Sequence, residues 1–225
     1  MTPHWSPDSY GISAAGEPAL QTQGPQDAPE KLTRQPDDST SYTGTLWRIH
    51  RTEGEHVLPW NKLRTFGPLP SMRWDPHPDA EPSMRAEGVL YAAADVATGL
   101  AEVYQTTRVI DTRAGAPTLT AWKPQRKLRL LDLSGTWLLR NSASAALLAA
   151  PRSICRRWAR AIYTTWPELD GLYVPSTMTG RPNIVLWTAA ADSLPALPSF
   201  SRPLSHPLVW SITQAAASEI GYRIL

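Results

Sequence analysis

The chain has 225 residues, a formal net charge of +2, 42% hydrophobic and 19% charged side chains, enough for one ordinary domain with length left over. A single cysteine, Cys155, excludes an intramolecular disulfide and a thiolate metal site, and the five histidines (His4, His50, His56, His77 and His206) show neither HxxxH nor HExxH spacing, which argues against a zinc hydrolase. No apolar run approaches the roughly 20 residues that span a bilayer, so the chain reads as soluble and cytoplasmic, with no membrane partner.

In chain order, residues 1–44 come first. They hold six of the 22 prolines and, from the set Leu, Ile, Val and Phe, only Ile12, Leu20 and Leu32. So little apolar surface does not offset the entropy of ordering, and the stretch reads as a disordered or loosely attached Pro-rich acidic leader, 1–44. It lacks the basic start and apolar core of a secretory signal. Asp8, Glu17, Asp27, Glu30, Asp37 and Asp38 against Lys31 and Arg34 give it a net charge of −4, which leaves +6 on residues 45–225. That excess favours an anionic ligand but falls short of the dense basic patch of a dedicated nucleic-acid binder.

The segment TLWRIHR (45–51) alternates as a half-buried strand, with Leu46, Arg48 and His50 on one face and Trp47, Ile49 and Arg51 on the other. Residues 53–87 are punctuated by proline and charge, with Arg73 and Trp74 near the centre. A strand over 89–94 carries Tyr91. Asp95 then caps a helix of about 96–106, mostly apolar, with Glu102 as its carboxylate. KLRLLDL (127–133) is another strand. Pro151 opens a helix over 152–166, where Ile154, Trp158, Ala161, Ile162 and Thr165 form an apolar stripe and Arg152, Arg156, Arg157 and Arg160 lie largely off it. Two short strands follow the PELDG turn, GLYVPS (171–176) and NIVLWT (183–188), and residues 207–225 mix helix and strand signals. Strands and helices without strict βαβ alternation indicate an α+β domain over 45–225.

No Gly-rich phosphate loop, GxSxG elbow or Cys–His pairing with a recognisable local context is present. The chemistry-bearing residues are dispersed: Arg48 on a strand, Arg73 in a loop, Tyr91 on a strand, Glu102 on a helix and Ser176 at a strand end. Taken singly, each has an ordinary structural reading: a surface ion pair, a core tyrosine, a solvated glutamate, a turn serine. Glu102 stands out because it borders Leu100, Ala101, Val103 and Tyr104, where an unpaired carboxylate is costly.

Their order and local context carry more. LWRI, SMRW, VLYAAADVATGLAEV, PELDGLYVPS and NIVLW together resemble the RES-domain family over about 45–188. The most specific parts are the Tyr–x10–Glu segment and D-G-L-Y-V-P-S with its N-I-V-L-W follow-on. The resemblance implies a fold like the diphtheria-toxin-type ADP-ribosyltransferase catalytic domain and a toxin that consumes NAD. It also implies an Xre-type helix-turn-helix antitoxin as partner, with nucleic acid engaged only through that antitoxin. On the family motif, Arg48 and Arg73 match the arginines, Tyr91 the tyrosine, Glu102 the glutamate and Ser176 the serine. The insertion DPHPDAEPSMRAEG leaves Arg85 as a rival to Arg73; Ser71 and the following aromatic favour Arg73, and Arg85 falls in a charged, loop-like stretch.

Cleavage of the nicotinamide–ribose bond builds positive charge on the sugar, as in glycoside cleavage. The expected catalytic set is therefore Glu102 at the ribose, with Arg73 and Tyr91. The expected substrate-binding set is Arg48, Arg73, Tyr91 and Ser176, the arginines on phosphate oxygens and Ser176 orienting substrate or Glu102. No metal or cofactor is expected; NAD is a substrate, with water or inorganic phosphate as acceptor. Two alternatives stay open: ADP-ribose transfer to a protein, and a non-catalytic binding module for nucleic acid or protein that uses KPQRKLR (123–129) and the arginines of the 152–166 helix.

Overall fold

The structure, a computed structural model, describes residues 27–225. In chain order its elements are β1 (Ser39–Tyr42), β2 (Leu46–His50), β3 (Arg64–Gly67), β4 (Ser83–Ala93), α1 (Val96–Val103), β5 (Val109–Ile110), β6 (Thr118–Trp122), β7 (Leu128–Asp132) and α2 (Trp137–Arg140). They continue with α3 (Arg152–Thr165), β8 (Gly171–Pro175), β9 (Pro182–Trp187), β10 (Phe200–Pro203), α4 (Pro207–Ile220) and β11 (Arg223–Ile224). Nine strands form one mixed sheet in the order β1-β7-β8-β9-β4-β2-β6-β10, with β3 added on β4, and β5 pairs with β11 separately. Within the large sheet β7 and β8 run parallel and the other pairs antiparallel. This is the α+β architecture expected from the sequence.

Strand alternation sends successive side chains of β4 and β9 to opposite faces. In register, Val89 faces Trp187, Tyr91 faces Val185 and Ala93 faces Asn183, while Leu90 faces Leu186 and Ala92 faces Ile184. Val89, Val185 and Trp187 join the core built with α3, where Trp137 and Trp158 meet edge to face at 5.9 Å. Leu90, Ala92, Ile184 and Leu186 join Leu46, Trp122, Leu128 and Leu130 on the opposite side. A third cluster packs α1 and α4 on Ile49 and Leu119. Gly99 lets α1 come close to the sheet, since a β-carbon there would sit 2.7 Å from Ile49 Cδ1.

The leader expectation is corrected over its described part; residues 1–26 lie outside the described residues. Ser39–Tyr42 pair with β7 at the sheet edge. Leu32 is buried in the α3-side core. Trp137 Nε1 donates to the Thr33 carbonyl at 2.9 Å, and buried Asp38 pairs with Arg140. The domain therefore begins before residue 45. Pairing across the sheet fixes a polar strand that local composition does not mark. The charged insertion is also corrected: residues 83–88 are the first half of β4, paired with β3, so Arg85 lies on a strand. The helix after Asp95 ends at Val103, earlier than expected. β6, with every residue buried, was not among the expected strands.

Candidate active site

The Tyr91–Glu102 spacing has a physical basis. β4 ends at Ala93, Asp95 Oδ1 accepts from Thr98 N at 2.8 Å to start α1, and two turns later Glu102 returns over the strand end. The D-G-L-Y-V-P-S segment works from the other side. Asp170 is nearly buried and accepts from both Arg126 Nη1 and Nη2 at 2.8 Å and from Arg129 N at 2.8 Å. Gly171 has φ 148°, and a β-carbon there would collide with the Val185 carbonyl at 1.8 Å. These two residues fix the start of β8 against β7 and β9 and so set where Ser176 emerges.

Ser176 is buried, and its Oγ donates to Glu102 Oε1 at 2.6 Å while accepting from Met178 N at 3.1 Å and Thr179 N at 3.3 Å. Asn183 Nδ2 donates to the same Oε1 at 2.8 Å. Two donations to one oxygen suit a carboxylate and hold its plane, and among the described residues Oε2 has no hydrogen-bond partner. Ser176 thus touches Glu102, and among the described residues no histidine or lysine bonds its hydroxyl.

A cavity of about 590 Å³ opens over the β4–β9 face, and Arg48, Arg73, Tyr91 and Glu102 all line it. Arg85 does not; its guanidinium donates to the Glu81 carbonyl at 3.0 Å. Arg48 Nη1 donates to the Trp60 carbonyl at 2.6 Å. Burial, with Arg64 nearby, lowers its pKa to about 10, which keeps the charge at neutral pH. Arg73 Nη1 donates to the Ala150 carbonyl and touches Cys155 Sγ at 3.5 Å. Burial pushes that thiol up, so it is not a ready nucleophile. His50, also in the lining, is pushed down to about 4 by burial and by Arg48, and stays neutral.

Tyr91 presents its ring to the cavity but its hydroxyl is committed. It donates to Asp75 Oδ1 at 2.8 Å and accepts from Trp74 N at 3.0 Å. Burial first, then Asp75, raises its pKa well above the usual tyrosine value. Asp75 is fully buried and accepts both oxygens' worth of bonds from Arg64 Nη2, at 2.7 and 2.8 Å, plus Leu69 N at 3.1 Å. Burial alone would raise its pKa; His77 and Arg64 outweigh that and hold it at about 2.

Four residues of this site were missed by sequence reasoning. Asn183 opens the apolar NIVLW run, and a lone amide at the start of a buried strand was the available signal. Arg64 and Asp75 lie in the proline-punctuated stretch, where they resemble surface charges. Arg152 lines the cavity from the first position of α3, although the helix pattern set it apart only as lying off the apolar stripe. Among the described residues, no group of three His, Cys, Asp or Glu side chains could hold a metal ion, and no helix is long and apolar enough to cross a membrane.

The profile of the RES domain family matches residues 45–210. No curated protein matches the sequence. Among solved structures, a chain of the crystal structure of the M. tuberculosis MbcT–MbcA toxin–antitoxin complex is similar, with a TM-score of 0.54 and 16% identity over 78% of this chain and 92% of that one. At this identity the likeness concerns the fold, and it agrees with the single α+β domain expected from the sequence.

Proposed function

The chain belongs to the RES domain family, and from that premise we propose that it is the toxin of a toxin–antitoxin pair and cleaves the nicotinamide–ribose bond of NAD. One observation carries the reading. A single carboxylate, Glu102, is clamped through Oε1 by Ser176 and Asn183 in a cavity that also holds Arg48 and Arg73, neither of which is ion-paired to a carboxylate among the described residues. A cavity of this size suits a small-molecule ligand.

As the C–N bond lengthens, its electron pair passes to the pyridinium nitrogen, which leaves as neutral nicotinamide without needing a strong acid. Positive charge builds on the ribose. The Oε2 side of Glu102, pre-fixed by its two donors, stabilises that charge without reorganising, work worth about 3–4 kcal/mol for one well-placed group. Arg48 and Arg73 release the Trp60 and Ala150 carbonyls to take the two phosphates, each charge-assisted bond contributing roughly 1.5–3 kcal/mol. The Tyr91 ring, held upright by Asp75, packs against the nicotinamide end. Water or inorganic phosphate then attacks the anomeric carbon; attack by water releases one proton.

The solved neighbour was captured in a toxin–antitoxin complex. An antitoxin of helix-turn-helix type is the corresponding partner here, restraining an activity that would deplete a central cofactor. The deciding experiment mixes purified protein with NAD, with and without phosphate, and identifies every product. Free nicotinamide with ADP-ribose, or with a phosphorylated ADP-ribose, is expected. Intact NAD in the presence of well-folded protein overturns the reading. ADP-ribose appearing on protein side chains instead redirects it to transfer.

A further inference from the structure

The charges around the cavity do not balance for NAD. Glu102 answers the positive charge of the pyridinium and the developing sugar cation, and Arg48 and Arg73 answer the two charges of the pyrophosphate. Arg64 is already paired with Asp75. Arg51 lies along Gly115 with the Asp111 carboxylate as an electrostatic neighbour. Of the lining arginines, that leaves Arg152 without a carboxylate neighbour: it is exposed at the first position of α3, and its one hydrogen bond among the described residues is a long 3.5 Å approach of Nη2 to Gln105 Oε1. No carboxylate among the described residues lies within ion-pairing distance of it. Its neighbour in the cavity wall is Arg73, which reaches Ala150 and Cys155, residues that flank Arg152 in sequence.

We propose that Arg152, backed by the Gln105 amide, forms a separate seat at the cavity mouth for a phosphate dianion. This rests on the NAD reading and deepens it by naming a third anionic group in the ligand. The seat takes a group carrying about −1.5 to −2 charges at neutral pH, and a guanidinium fork fits its oxygens. Two sources supply that chemistry: the 2′-phosphate of NADP, tethered to the dinucleotide, and free inorganic phosphate. Arg152 determines which phosphorylated ligands the pocket favours; it is a specificity residue and does not touch the bond that breaks.

The test compares NADP with NAD in binding by calorimetry and in kcat/KM for nicotinamide release, for the wild-type protein and for Arg152→Ala and Arg152→Lys. Inorganic phosphate is titrated in a parallel arm. NADP is expected to be favoured by about tenfold or more, the scale of one charge-assisted contact. The preference should collapse in Arg152→Ala and return partly in Arg152→Lys. If the tethered phosphate fills the seat, inorganic phosphate competes with NADP and not with NAD. If free phosphate is the source, NAD binds more tightly in its presence, and Arg152→Ala abolishes that gain. Equal handling of both dinucleotides, insensitive to phosphate, overturns the seat while leaving NAD cleavage standing. A loss in Arg152→Ala that is equal for NAD and NADP also overturns it, because Arg152 would then grip the shared pyrophosphate. NADP bound preferentially through Arg152 but not cleaved would keep the seat and sink the cleavage reading.

Discussion

At the scale of single residues, the carboxylate of Glu102 is defined as much by its two donors as by its own charge. Glu102→Gln keeps the size and most of the bonding but removes the charge, so nicotinamide release should fall by a factor of about 10²–10³ while NAD affinity, held by the arginines, changes far less. Full turnover in a folded Glu102→Gln protein would end the mechanism. Asn183→Ala leaves the Ser176 bond and removes the other, and one hydrogen bond to a charged group is worth about 1.5–3 kcal/mol. A drop in kcat of about 10–100-fold with little change in KM is therefore expected, read from steady-state kinetics. Tyr91 separates ring from hydroxyl. Tyr91→Phe keeps the ring but strips Asp75 and the Trp74 amide of a buried partner. The loss should appear chiefly as about 1–3 kcal/mol of stability in urea unfolding. A Tyr91→Phe protein of wild-type stability would show that the hydroxyl is not part of the Asp75 network.

At the scale of elements, what could be read from the sequence followed from local period. β4, α1, α3, β8 and β9 carry apolar spacing strong enough to show through, and with them come Tyr91, Glu102 and Ser176. β1 could not be read in this way, because its sequence STSY is polar and its place comes from pairing with the distant β7, Ser39 with Leu131 through Tyr42 with Leu128. β6 hid for a related reason: Thr118 and Thr120 look polar, yet their hydroxyls are satisfied by Ala116 O and by Ser201, so both fit a buried strand. Asp75 and Arg64 were illegible because only the fold makes them partners. Two predictions belong here. Chains starting at residue 27 and at residue 45 should differ sharply, since the shorter one loses Leu32, the Thr33 acceptor of Trp137 and the Asp38–Arg140 pair. A loss of about 3 kcal/mol or more is expected; equal melting temperatures would return residues 27–44 to the status of a loose leader. Gly171→Ala should also cost about 3 kcal/mol or more, because both its positive φ and the Val185 carbonyl exclude a β-carbon. A Gly171→Ala protein that is fully stable would mean that the β8 start tolerates another backbone course.

At the scale of the whole molecule, the cavity brings several guanidinium groups together under one sheet, and the fold meets that cost partly by keeping His50 neutral. Burial and Arg48 depress its pKa to about 4 in the folded state, against about 6.5 in an unfolded chain. Between those values the unfolded chain binds a proton that the folded one refuses, so stability falls as pH drops from about 6.5 toward 4. The slope from this residue is at most about 1.4 kcal/mol per pH unit, and solvent screening of a half-buried ring reduces it. Asp75 acts in a lower window. Its folded pKa of about 2 lies below the ordinary value of 3.8, so its contribution is complete above about pH 4 and is lost as pH falls through the interval down to 2. Urea unfolding from pH 7.5 to 3 should therefore show stability level above about pH 6.5, then declining, then declining again below 4. His50→Gln removes the titrating ring and should flatten the first decline while leaving the second in place. An unchanged first decline in that variant would assign it to another group and show that the cavity wall admits a proton at His50.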